Sequence, residues 1–221
     1  MAETLIHEIL PVGLLQCNCH ILGDPETGEA LVVDPGDEIG HVQELLQRHG
    51  LKVCAIVSTH AHIDHVGGLA RLQKETGAPV LLHAADADLY AALPEQARWI
   101  GMPPPEQTRI DGFLSDGEVL RWGRLQATVL HTPGHSPGSV CLLVPAETAG
   151  VLEVPRLLAG DTLFAGSVGR TDLWGGSFQQ LMRSLREKIL VLPDHTRVYP
   201  GHGPATTLGV ERETNPFLQG L

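Results

Sequence analysis

Residues 58–68 read S-T-H-A-H-I-D-H-V-G-G and place His60, His62, Asp64 and His65 within six positions. The stretch follows an apolar run, V-C-A-I-V-S-T (53–59), and precedes an amphipathic one, L-A-R-L-Q-K-E-T-G (69–77). It therefore lies at the carboxyl end of a predicted strand and leads into a predicted helix, where open α/β sheets place their ligands. If the chain stays extended past the strand, His60 and His62 point to one side. Asp64 and His65 are neighbours and must diverge, so a single ion does not comfortably take all four. Two adjacent ions sharing the loop fit better, and each needs further ligands.

Other candidates occur in the same kind of place. His135 follows the run L-Q-A-T-V-L-H (125–131), Asp161 ends R-L-L-A-G-D (156–161), and His202 follows R-V-Y-P-G (197–201). Each is flanked by glycine, which lets the backbone approach closely. Further predicted strands are T-L-I-H-E-I-L (4–10), C-H-I-L-G (19–23), A-L-V-V-D (30–34), P-V-L-L-H (79–83) and S-V-C-L-L-V (139–144). Helical periodicity marks 39–50, 69–77, 87–93 and 177–190, with Gly50 and Gly77 as C-terminal stops. The D-P-E-T-G (24–28) and R-W-G-R (121–124) turns suggest antiparallel hairpins. Together these predict one α/β (α+β) domain spanning 1–221 with a mixed sheet. The P-P-P run at 103–105 reads as a stiff surface loop.

The formal net charge of −11 argues against nucleic acid, whose phosphates require a basic face. No apolar run reaches the roughly 18 residues of a membrane span. The start, M-A-E-T-L-I-H-E-I-L, lacks the basic region of a signal peptide. Cys17, Cys19, Cys54 and Cys141 lack C-x-x-C spacing, and three lie in apolar runs as small core residues do. A reduced cytoplasmic protein is expected.

The T-H-x-H-x-D-H motif, followed in order by P-G-H, G-D and G-H, resembles the metallo-β-lactamase superfamily over nearly the whole chain. The resemblance implies a four-layer αβ/βα sandwich with two mixed β-sheets. It also implies two divalent transition-metal ions per chain, zinc first, with iron or manganese accepted by the same imidazole and carboxylate set. Carried over, one ion takes His60, His62 and His135, the other Asp64, His65 and His202, and Asp161 bridges both. Asp34 of V-V-D-P-G matches a position that accepts from a ligand imidazole N–H. Within the superfamily, G-S-V-G-R-T-D-L (166–173), P-G-H-G-P-A-T-T-L-G (200–209) and E-R-E-T-N-P-F-L (211–218) are similar to the short glyoxalase II-like hydrolases. That likeness implies a small-molecule thioester as partner, a glutathione conjugate such as S-lactoylglutathione, and Arg170 at a position that binds a glutathione carboxylate. Two features depart from the larger members. Only 19 residues follow His202, and Pro204 stands where they carry a tyrosine.

A water held between two such ions ionises near neutral pH and is placed for attack, with Asp64 and Asp161 as the acidic residues of the reaction. A thiolate leaving group needs no strong acid. The rival activity is that of the persulfide dioxygenases, which share G-R-T-D and use one iron. They read P-A-H-D-Y where this chain has P-G-H-G-P. A β-lactamase is disfavoured because His65 follows Asp64, where arginine or cysteine is common there, and a non-catalytic module by the complete ligand set. G-H-S-P-G (134–138) matches a serine nucleophile elbow only formally, because Pro137 lacks the N–H that the oxyanion requires. Ser136 is expected to be structural, and His131 either a packing residue or one that supports a ligand from behind. Tyr90, Trp99 and Trp122 are expected in the core.

Overall fold

The computed structural model describes residues 5–146 and 154–221. Strands β1 (Ile6–Val12), β2 (Cys17–Gly23), β3 (Glu29–Val33), β4 (Lys52–Val57), β5 (Val80–His83) and β6 (Gly112–Leu114) form one sheet in sequence order. Pairing is antiparallel from β1 to β3 and parallel from β3 to β6. The chain continues through β7 (Val119–Trp122), β8 (Leu125–His131), β9 (Val140–Val144) and β10 (Arg156–Gly160). A small hairpin, β11 (Leu163–Phe164) and β12 (Ser167–Val168), precedes β13 (Arg197–Pro200) and β14 (Thr206–Thr207). The second sheet has the order β14-β13-β10-β9-β8-β7, with only β10 and β13 parallel.

Period-two alternation explains how the layers stack. In β3, Ala30 and Val32 join the cluster under helices α1 (Ile39–Arg48) and α3 (Leu69–Thr76), while Leu31 and Val33 face the other sheet. In β9, Val140, Leu142 and Val144 point between the sheets. Cys141 turns outward onto Leu181, Leu185 and Leu208 of the opposite helical layer. Strands buried on both faces read as unbroken apolar runs, which is why they stand out in the sequence. The result is the four-layer sandwich of two mixed six-stranded sheets with flanking helices.

Gly77 closes α3 in the left-handed conformation, its N–H donating to the Gln73 carbonyl at 2.8 Å, and Gly50 likewise has positive φ after α1. Three expectations shift. Strand 4–10 becomes β1 at Ile6–Val12, and Thr4, with the rest of residues 1–4, lies outside the described residues. The helix expected at 87–93 is two: α4 (Ala87–Ala91), then α5 (Leu93–Trp99), which Pro94 starts because its first turn needs no proline N–H. Helix 177–190 is α6 (Phe178–Ser184), capped by Ser177, followed by a π-helical turn at Leu185–Ile189. The short α2 (Ile63–Val66) and α7 (Leu208–Thr214) carried too few periodic residues to be read.

Candidate metal centre

β8 and β10 both run antiparallel to β9, and β10 runs parallel to β13, so all three end at one edge of their sheet. The loops after them carry His135, Asp161 and His202. β3 and β4 are parallel, and the residues following them are Asp34 and the segment 58–66. The two edges meet, because the side chains from both sheets come within contact distance. Within the first sheet, Gly36 lets the loop after β3 close on the segment after β4, since a Cβ there would overlap the Asp64 carbonyl. Between the sheets, a Cβ on Gly201 would come within 2.8 Å of His65 Cε1 as well as overlapping Asp161 Oδ1.

The structure gathers all seven ligand candidates. His62 Nδ1 and His135 Nε2 face each other at 2.8 Å, and His135 Nε2 lies 3.2 Å from His60 Nε2. Beside them, His65 Nε2 is 3.3 Å from His202 Nε2 and 3.7 Å from Asp64 Oδ2, which is itself 3.1 Å from His202 Nε2. Asp161 lies between: Oδ1 is 3.4 Å from His65 Nε2, and Oδ2 is 3.5 Å from His135 Nε2 and 3.8 Å from His202 Nε2.

The outer ring nitrogens decide what the inner ones can do. His135 Nδ1 sits 2.8 Å from the Arg170 carbonyl and His202 Nδ1 3.0 Å from the Leu15 carbonyl; a carbonyl only accepts, so both Nδ1 atoms are donors. His65 Nδ1 is 3.0 Å from Asp34 Oδ2. Thr59 donates its hydroxyl to the same carboxyl oxygen at 2.7 Å, which leaves Thr59 Oγ1 to accept from His60 Nδ1 at 3.1 Å. In their neutral forms these four rings therefore present Nε2 lone pairs to one another with no proton between them. Asp161 Oδ1 is also buried without a hydrogen-bond partner, an arrangement that costs about 1–3 kcal/mol. Converging lone pairs and an unpartnered carboxylate oxygen fit bound cations. The donor set, nitrogen and oxygen only, fits zinc, iron or manganese.

The electrostatics divide the cluster into a neutral end and a charged end. Burial, reinforced by His65 and His135, holds the His60 pKa well below its usual value, and burial with His135 brings His62 down to about 3. Burial also lowers His135. The shifts favour neutral rings, the form that a metal ligand requires. Burial opposes ionisation of Asp64 and Asp161, but His65 and His202 outweigh it and hold both carboxyls below the usual range. Burial likewise opposes protonation of His65, yet Cys17, Asp64, Asp34 and Asp161 raise its pKa well above normal. The acidic groups draw positive charge to that end of the cluster.

Asp34 sits where expected and does two tasks, since its Oδ1 also accepts from the Thr59 N–H at 2.7 Å. Arg170 lies at the mouth, exposed, with its guanidinium held by both oxygens of Asp172 at 2.7 and 2.8 Å. Ser136 is buried and donates to Asp86 Oδ2 at 2.7 Å, a structural role. His131 stacks on His83 with ring centroids 4.0 Å apart, away from the ligands. Asp86 gave no sequence signal, yet it accepts from the Ala61 N–H at 2.9 Å and from the Gly138 N–H. It thus joins the loop of His60 and His62 to the loop of His135. Cys17 is the other addition, its Sγ 3.4 Å from His65 Nδ1. Tyr90 and Trp122 are core residues as expected. Trp99 is not: it is 68% exposed and lines the cleft above the ligands together with Trp174.

Comparison with known proteins agrees with this geometry. The chain is 36% identical over 220 residues to the hydroxyacylglutathione hydrolase GloC of Haemophilus influenzae, covering 96% of this chain and 97% of the relative. Its fold is similar to that of BLEG-1, a B3 metallo-β-lactamase (TM-score 0.88, 38% identity, 97% of this chain and 100% of the other). It is also similar to TTHA1623 in a di-iron-bound form (TM-score 0.83, 42% identity, 96% and 100%). The metallo-β-lactamase superfamily pattern matches residues 12–202, from β1 to the last histidine of the cluster. By sequence, fold and the side chains assembled at the sheet edges, this chain belongs to the metallo-β-lactamase superfamily.

Proposed function

We propose that the chain is a metal-dependent thioester hydrolase of the hydroxyacylglutathione hydrolase type. The observation that carries this reading is the convergence of Nε2 lone pairs and the unpartnered Asp161 oxygen on the floor of an open cleft. The name borne by the Haemophilus influenzae relative supports the substrate class. His60, His62 and His135 would hold one divalent ion and Asp64, His65 and His202 a second, with Asp161 placed between the two sets. When bound, such ions supply Lewis acidity and lower the pKa of water to near neutrality.

The overall reaction joins the oxygen of water to the acyl carbon and breaks the C–S bond, giving a carboxylate, a thiol and a proton. Asp64 and Asp161, held ionised, cannot donate a proton to the leaving group. A thiolate, whose conjugate acid has a pKa of about 8.5, leaves without one. Asp34 and Thr59 keep His65 and His60 turned inward. Arg170, released from Asp172, would pair with a single carboxylate of the thiol moiety.

The test is S-lactoylglutathione cleavage by metal-reconstituted protein. Asp64→Ala and His202→Ala should each lower kcat/KM by about 10³-fold or more, and the wild-type rate should be unchanged under argon. A persulfide dioxygenase, the rival activity, would instead ignore the thioester and consume oxygen with glutathione persulfide. The likeness to BLEG-1 makes a β-lactam the second substrate to assay.

A further inference from the structure

The cleft above the ligands encloses about 400 Å³, and most of its wall is apolar. Trp99 ends α5 and Trp174 lies between β12 and α6. They are 68% and 57% exposed, and Leu15 and Ile100 add to the same wall. The third tryptophan, Trp122, is 1% exposed in the core, so both exposed tryptophans lie at the cleft. Large apolar side chains gathered at one surface mark a binding site, and two tryptophans beside reactive groups are the strongest form of that signal. Among the described residues lining the cleft, Arg170 is the only lysine or arginine, and its Nε and Nη2 already donate to Asp172. A smaller pocket shares Leu15, Ile63, Asp64 and Ile100 with the cleft and runs on to Met102 and Pro105. Its lining has no lysine or arginine.

A lactoyl group has three carbons and a hydroxyl, and it would leave most of this wall in water. Resting on the thioesterase reading, we propose that the preferred substrate is a thioester with an extended apolar acyl group, an alkyl chain or aromatic ring seated against Trp99 and Trp174. These two residues set acyl specificity. The thiol portion meets one cationic side chain, Arg170, and contributes less to selection.

The experiment is calorimetric titration of the metal-loaded full chain with S-methyl-, S-butyl-, S-hexyl- and S-octylglutathione. These thioethers carry the alkyl group where a substrate carries its acyl group, and they have no bond to hydrolyse. Each buried methylene should lower Kd about three- to fourfold, up to the length that the cleft holds. Trp99→Ala and Trp174→Ala should each flatten that dependence. Both side chains project from the surface, so the core stays intact, and circular dichroism checks this. A Kd independent of chain length, or a slope equal in wild type and both variants, overturns the proposal. The two readings fail separately. Binding that tightens with length without any thioester cleavage would retain the apolar pocket and remove the hydrolase. Cleavage of S-lactoylglutathione with a flat thioether series would do the reverse.

Discussion

At the scale of single side chains, the acceptors behind the imidazoles matter as much as the imidazoles. The Arg170 and Leu15 carbonyls, Asp34 and Thr59 fix which nitrogen of His135, His202, His65 and His60 faces inward. Arg170 thus has two separable functions. Its backbone orients His135, which no substitution removes, and its side chain stands at the cleft mouth. Arg170→Ala should raise KM for a glutathione thioester about tenfold while changing kcat far less, the mark of lost ground-state binding in steady-state kinetics. An unchanged KM would leave the side chain only its exposed pair with Asp172, and such pairs hardly affect stability. His60, His62, Asp64 and His65 were legible because sequence neighbours carry them, and Asp34 through its V-V-D-P-G turn. Trp99 was misread: a tryptophan ending a helix looks like core until the cleft beside it is seen.

At the scale of elements, strand ends position the ligands and buried polar contacts lock the loops between them. Asp86 is the clearest case. Its carboxyl accepts from Ala61, Ser136 and Gly138, partners 25, 50 and 52 residues away, which is why no local pattern revealed it. Asp86→Ala strands two buried backbone donors, Ala61 and Gly138, at about 1–3 kcal/mol each before any relaxation, and leaves the Ser136 hydroxyl only Ser139. Chemical denaturation should show a loss on the order of 3 kcal/mol. Chelator competition should show metal affinity reduced about 10- to 100-fold, as when a ligand loses its support. Unaltered affinity would confine Asp86 to packing. The long central strands were legible from their apolar runs. β6, β11, β12 and β14 were not, since two or three residues hold no period. The π-helical turn after α6 depends on packing against the second sheet, which periodicity does not register.

For the whole molecule, the cluster lies at one end of a sandwich whose three apolar clusters form without it. Chelation should therefore abolish activity and leave the fold intact, unlike a small zinc domain whose folding free energy is metal binding. With a net charge of −11, bound metal cations would also give an anionic substrate its main electrostatic attraction. The family and the layer architecture were legible from the order of the motifs. The acyl preference was not, because its walls come from α5, the loop after β1 and the segment before α6. Everything proposed for the chemistry rests on two metal centres sharing Asp161. The most direct measurement is elemental analysis of metal-reconstituted, desalted protein, with His135→Ala and Asp161→Ala alongside. Close to two transition-metal ions per wild-type chain, with lower occupancy in both variants, is the predicted result. At most one ion per wild-type chain would contradict it.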